Sequence, residues 1–197
     1  MTWRVEKLIL LFLLSLGTAC TPATTEIDIP FAVLYEGQPI GCDTPVDAVS
    51  MTDLRLYIYD LRLLGPENSE TPIALRPDEV WQTESVALLD FENGTGACIN
   101  GSERTNTVIR GRHVPADSHG VAFRIGVPSG LNHEDALTAR PPLNFTDMHW
   151  HWATGYKFLR AGIETKDDGF WIHLGSSLCE GTIGDIKGCR APNRPEV

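Results

Sequence analysis

Leu54-Arg55-Leu56-Tyr57-Ile58-Tyr59-Asp60-Leu61 puts Leu54, Leu56, Ile58 and Asp60 on one parity and Arg55, Tyr57, Tyr59 and Leu61 on the other. Side chains with a period of two line opposite faces of a strand. The run Leu56-Tyr57-Ile58-Tyr59 is branched and aromatic, which favours a pleated surface over a helix. The stretch reads as a strand within residues 49–64, and Gly65-Pro66 ends it.

The same reading extends outward in both directions. Ile27, Ile29, Phe31, Val33 and Tyr35 alternate over residues 27–35, and Pro30 puts that strand at an edge or a bulge. Residues 66–79 are polar and proline-rich and read as a surface loop. Val86-Ala87-Leu88-Leu89-Asp90-Phe91 is a further strand, followed by the turn Asn93-Gly94-Thr95-Gly96. Residues 107–110, 120–128, parts of 145–163, and 169–175 add more β-prone segments, the last being the final strong strand. Residues 131–140 leave room for one short helical turn. No segment sustains the i, i+3, i+4 apolar pattern of a long helix. Seven or so strands with turn signals between them predict an all-β chain, a single-domain antiparallel β-sandwich with long loops over residues 27–197.

Residues 1–19 read as a signal peptide. Arg4 and Lys7 begin it, residues 8–16 are almost wholly apolar, and Gly17-Thr18-Ala19 supplies small residues before Cys20. The apolar run is short for a bilayer span. Ala19-Cys20 fits a lipoprotein junction with Cys20 lipidated and residues 20–26 as a tether, although Gly17 stands where Leu is usual. Ordinary cleavage after Ala19 is the competing reading, and both export the chain to the periplasm or cell surface. The full chain carries a net charge of −10. Removing a leader of net +1 makes it more acidic still, which gives no electrostatic reason to bind nucleic acid.

Cys42, Cys98, Cys179 and Cys189 remain beyond Cys20. An even number in an exported chain predicts two disulfides, with three connectivities possible. Cys179–Cys189, closing a short glycine-rich loop, with Cys42–Cys98 is the favoured pairing. A four-thiolate zinc site is the rival, but no Cys-x-x-Cys spacing supports it.

Familiar catalytic patterns are absent. There is no Cys-x-x-Cys-His haem attachment site, no phosphate-binding loop and no dinucleotide glycine fingerprint. Ser176 and Ser177 lie near His173 without a Gly-x-Ser-x-Gly elbow. Asp90, Glu92 and Asn93 fail the spacing of a calcium loop. Three Asn-x-Ser/Thr sequons, at Asn93, Asn100 and Asn144, are short enough to occur by chance.

Chemistry concentrates in Met148-His149-Trp150-His151-Trp152-Ala153-Thr154-Gly155, in a chain with five Trp and six His. If extended, it puts His149 and His151 on one face, about 7 Å apart, and Trp150 and Trp152 on the other. Two imidazoles there would suit copper or zinc. The plain alternative is an exposed polar face with the tryptophans turned inward. His113 and His119 read as solvated loop residues. His133 lies in a loop beside Glu134 and Asp135. His173, within Phe170-Trp171-Ile172-His173-Leu174, reads on its own as a core histidine.

Four ordered blocks, with the four cysteines, resemble the MbnP-like exported proteins, named for a partner in methanobactin operons. They are Leu88-Leu89-Asp90-Phe91-Glu92-Asn93-Gly94-Thr95-Gly96-Ala97-Cys98, Gly126-Val127-Pro128-Ser129-Gly130-Leu131-Asn132-His133, Trp150-His151-Trp152-Ala153-Thr154-Gly155-Tyr156-Lys157-Phe158, and Ile172-His173-Leu174-Gly175-Ser176 before Cys179. Together they span most of residues 27–190. The resemblance implies a β-sandwich that works beside a di-haem peroxidase-like (MauG/MbnH-like) partner, which oxidises a client tryptophan to kynurenine. It implies Trp150 or Trp152 as the modified residue, His133 and His173 as ligands, and one copper ion as cofactor. Opening an indole creates an aryl amine, a nitrogen donor that the indole N–H is not. On this reading the chain is a copper-binding client and is not an enzyme. Two other readings stand beside it. One is a structural or interaction lipoprotein without metal. The other is a metal-dependent hydrolase using His149, His151 and Asp147.

Overall fold

The computed structural model describes residues 23–197; the leader and Cys20 lie outside the described residues. The strands in chain order are β1 (Thr25–Pro30), β2 (Leu34–Tyr35), β3 (Gln38–Pro39), β4 (Ser50–Leu64), β5 (Glu70–Pro72), β6 (Ala74–Leu75) and β7 (Ala87–Asp90). They continue with β8 (Val108–His113), β9 (Gly120–Ile125), β10 (His149–His151), β11 (Gly155–Glu164), β12 (Gly169–Gly175), β13 (Ser177–Thr182) and β14 (Asp185–Ala191). Among the described residues there is no α-helix, and residues 131–140 form turns in which Asp135 O accepts the N–H groups of Thr138 and Ala139.

β4 organises the larger sheet. It pairs antiparallel with β11, β5, β7 and β9 along different parts of its length. β12 and β10 extend this seven-stranded sheet by pairing with β11. A three-stranded sheet, β1-β8-β6, packs against it. β1 is an edge strand and ends at Pro30, as a residue without an N–H requires.

The core between the sheets joins Ile27 and Ile29 of β1, Ile109 of β8 and Leu75 of β6 to Ile58, Leu61, Leu63 and Leu89 of the larger sheet. The alternation read from the sequence would put Leu61 opposite Ile58. A bulge corrects it. Tyr59 pairs with Arg124 and Arg62 with Ala122, so three steps on β4 face two on β9. Asp60 takes up the extra residue at a positive φ of 53°. The inserted residue returns Leu61 and Leu63 to the buried face.

The expected loop 66–79 also differs from the structure. Glu70–Pro72 returns along β4, and Ile73 N–H donates to Leu61 O before Ala74–Leu75 crosses to the smaller sheet. Ile73 and Leu75 are thereby buried. Two apolar side chains in a polar stretch are enough to stitch it onto a sheet already present.

The other face of β4 carries Tyr57, packed with Leu88, Tyr156 and Phe158. It is covered by the irregular segment 127–148 through Val127, Ala136, Leu143 and Met148. Two buried phenols tether that segment. Tyr57 OH donates to Pro142 O at 2.9 Å and Tyr156 OH to Leu143 O at 2.8 Å. β7 is buried throughout because both faces of the sheet are covered there, which is why it runs Ala87-Leu88-Leu89 without alternation before the buried Asp90.

Both favoured disulfides form, Cys42–Cys98 and Cys179–Cys189. Cys98 is 1 % exposed and joins a third apolar cluster with Val46, Val49 and Met51. Cys179 and Cys189 face each other across the β13–β14 hairpin, which lies beyond the strand the sequence marks as last.

Candidate metal centre

The Trp/His stretch is a short strand running into a turn. β10 stops at His151, and Trp152, Ala153 and Thr154 form the turn into β11, closed by Thr154 N–H to His151 O at 3.0 Å. Gly155 leaves the turn at φ 78°. The expected shared face of Trp150 and Trp152 therefore does not form, because the alternation ends before Trp152. The tryptophans are not turned inward either. Trp150 is 51 % exposed, whereas His149 is half-buried against the Tyr156 ring.

Trp150 meets His173. Their ring centroids are 6.0 Å apart with planes at 81°. The indole also lies over Gly175, where an added Cβ would stand 3.5 Å from its ring. His173 is on the exposed strand β12 with Phe170, Trp171 and Ile172, which are exposed too. It is a surface residue, contrary to its apolar sequence context, because β12 pairs only with β11. Partial burial and then the charges of Arg160 and Lys157 lower its pKa. Arg160 is its cross-strand partner. The shift favours the neutral imidazole, the form that ligates metals.

His133 sits elsewhere in the same neighbourhood. Its Nδ1 is 3.2 Å from Trp152 O, and its Nε2 is 3.2 Å from Asn132 Nδ2 and 3.6 Å from Cys189 Sγ. Asn132, 0 % exposed, is the joint between three of the quoted blocks. Its side chain donates to Thr154 O and Ser176 Oγ and accepts the N–H of Tyr156. Sequence reasoning passed over Asn132, whose only signal was its place beside His133. His149 is different again: its Nε2 is buried with no hydrogen-bond partner, and desolvation lowers its pKa. His151 is exposed, and its Nδ1 accepts the Ala153 N–H at 3.3 Å.

Beneath this surface lies a buried charge network that the sequence did not announce. Arg55 Nε is 2.8 Å from Glu92 Oε1 and 3.3 Å from Asp53 Oδ1, and Arg55 also binds Asp147. Arg160 contacts both Asp53 and Asp147. Lys157 Nζ donates to Asp147 O at 2.8 Å. These contacts fix the 3₁₀ turn Thr146–Met148 that leads into β10. They also occupy the carboxylate that a His149/His151 hydrolase would use. Acidic groups outnumber the arginines here. Burial and neighbouring charge push Glu92 well above the usual carboxylate range and Asp90 up to about 6.

These side chains have the chemistry of copper donors: an imidazole against an accessible indole, a second imidazole whose Nε2 meets the Asn132 amide, and a third with a buried, unpartnered nitrogen. Among the described residues the three imidazoles do not converge within ligand distance of one another. The sequence profile of the MbnP family matches residues 24–197. The fold is similar to that of MbnP from Methylosinus trichosporium, with a TM-score of 0.77 and 30 % identity, over 89 % of this chain and 71 % of that one. No curated protein sequence matches the chain.

Proposed function

The chain belongs to the MbnP family, and we propose that this member is an exported, Cys20-anchored copper-handling protein. Trp150 is the residue that a di-haem peroxidase-like partner converts to kynurenine. The observation that carries the reading is the accessible Trp150 indole set edge-on against His173. Trp171 is equally exposed, but its ring lies over Gly162 and Gly169. Trp152 is half-buried in the turn.

The conversion balances with peroxide as oxidant. Two equivalents break the indole C2–C3 bond, place one oxygen on each carbon and leave as two waters. Hydrolysis of the resulting formamide releases formate and leaves an aryl amine and a ketone. The amine adds a nitrogen donor beside His173. His133 supplies the second imidazole through Nε2, because its Nδ1–H is held by Trp152 O. A second reading puts His149 in that place, favoured by its buried Nε2 without a partner. Bound copper would supply a soft, redox-active centre. The chain itself orients the donors, as a client and without catalysis of its own.

The test is mass spectrometry and copper titration on protein made with and without the di-haem partner. The expected result is oxidation at Trp150, abolished in Trp150→Phe, with about one tight copper lost in His173→Ala. His133→Ala against His149→Ala decides the second imidazole. An unmodified Trp150, or full affinity in His173→Ala, overturns the reading.

A further inference from the structure

We propose that the β13–β14 hairpin carries a separate, redox-gated metal site, formed by His133, Cys179 and Cys189 when their disulfide is reduced, with Cu(I) as its cation. The three potential ligand atoms already lie within 4.8 Å of one another. In the oxidised protein the sulfurs are bonded to each other and offer no thiolate, so the site does not exist. Reduction creates it without moving the scaffold.

Three features prepare the ligands. First, Cys179 and Cys189 are direct cross-strand partners, and the pairs Ser177↔Ala191 and Glu180↔Gly188 flank them. The ladder keeps both sulfurs on one side of the hairpin after the bond opens. Second, His133 is oriented by its neighbours. Nδ1–H donates to Trp152 O at 3.2 Å, which leaves Nε2 as the acceptor nitrogen, 3.2 Å from the Asn132 amide that a metal would displace and 3.6 Å from Cys189 Sγ. Third, a cleft lined by Gly130, His133, Gly188 and Cys189 opens onto these atoms, and Lys187 and Arg194 share its wall. Arg194 is the positive charge there, Lys187 being paired with Asp185, and it favours the thiolate form.

Access separates this pair from the other. Cys179 and Cys189 are half-buried, whereas Cys42 is 6 % and Cys98 1 % exposed. A reductant reaches the hairpin and leaves the core bridge intact. The reductant is a dithiol, itself oxidised to its disulfide as two electrons and two protons pass to Cys179 and Cys189. Binding of Cu(I) then releases both thiol protons and forms two Cu–S bonds and one Cu–N bond. Two thiolates and an imidazole are a donor set for a soft monovalent cation.

The site rests on the same His133 Nε2 as the first choice of second imidazole in the copper reading above and competes with it there, but it needs neither Trp150 nor His173; protein made without the di-haem partner, with Trp150 unmodified, therefore separates the two. The experiment titrates Cu(I) against a chromophoric Cu(I) chelator, anaerobically, before and after a water-soluble phosphine. Thiol labelling after phosphine should mark Cys179 and Cys189 alone. Reduction should add about one Cu(I) with two sulfurs and one nitrogen by X-ray absorption, and His133→Ala should weaken it about ten-fold or more. Trp150→Phe and His173→Ala should leave this increment unchanged, and Cys179→Ser/Cys189→Ser should remove it. An increment that survives the double serine variant, one indifferent to His133→Ala, or a disulfide that phosphine does not open overturns the proposal.

Discussion

Asn132→Leu removes the side chain that joins the loop after β9 to the Trp150 turn and the end of β12. Asn132 is 0 % exposed, and Leu fills similar space, so the substitution tests hydrogen bonding more than packing. Four contacts are lost: those from Nδ2 to Thr154 O at 3.2 Å, His133 Nε2 at 3.2 Å and Ser176 Oγ at 3.4 Å, and that from Tyr156 N–H to Oδ1 at 3.2 Å. Tyr156 is fully buried, so its N–H has no water to turn to; Thr154 is half-buried. A stranded buried group costs about 1–3 kcal/mol, and the two main-chain groups together come to about 3 kcal/mol. In a chain of this size that lowers Tm by about 6–12 °C. Scanning calorimetry measures it, with Ser176→Ala as control. That variant loses a weak contact to Asn132 and a 3.2 Å bond to Pro192 O, which costs about 1 kcal/mol. A fall in Asn132→Leu of under about 3 °C, or one no larger than in the control, refutes the view that Asn132 holds the site together.

Gly155→Ala should be more damaging still, since a Cβ at φ 78° would stand 2.0 Å from Asn132 O; recovery of well-folded protein with near-UV dichroism like the parent would contradict it. Glu92 is raised from 4.5 to about 8. A carboxyl that holds its proton more tightly when folded stabilises fully below its unfolded pKa and loses that contribution as pH rises through the folded one. Tm should therefore fall between about pH 5 and pH 8, and Glu92→Gln should flatten the slope; an unchanged profile in the variant assigns the dependence elsewhere. The loop of 56 residues closed by Cys42–Cys98 predicts a loss of about 4 kcal/mol in the double-alanine variant. The separation of 10 at Cys179–Cys189 predicts about 3 kcal/mol, and denaturant titration of both variants would disprove the entropic account if the order reversed. Cys20→Ser should shift the protein from the membrane fraction to the soluble one; unchanged fractionation would remove the lipid anchor.

Local pattern was enough to see the strand over residues 49–64 and the apolar run that becomes β7; the cysteine pairing was favoured among three and decided only by the fold. A period of two and turn chemistry are properties of neighbouring residues, and the two favoured loops happened to close as disulfides. The bulge at Asp60 was not legible, because an inserted residue shows only when the partner strand is present to count against. Strands β5 and β6 were hidden for a related reason: Ile73 and Leu75 have somewhere to be buried only once β4 and β8 exist. The network of buried Arg55, Asp53 and Glu92 with the exposed Asp147 was illegible too, since its members are scattered through the chain.

The candidate site divides the same way. The amino-acid sequence by itself determined an all-β chain, its four cysteines and the residue types on which copper chemistry rests: His133, Trp150, Trp152 and His173. The tertiary structure decided which of them meet. It ended β10 at His151, so Trp150 and Trp152 part company, and it set Trp150 against His173 while turning His133 toward Trp152 O and the hairpin disulfide. The reason is that alternation along one strand sets a side chain's face only while pairing lasts. Which imidazole an indole touches depends on a strand more than twenty residues away, brought alongside by the β11–β12 ladder.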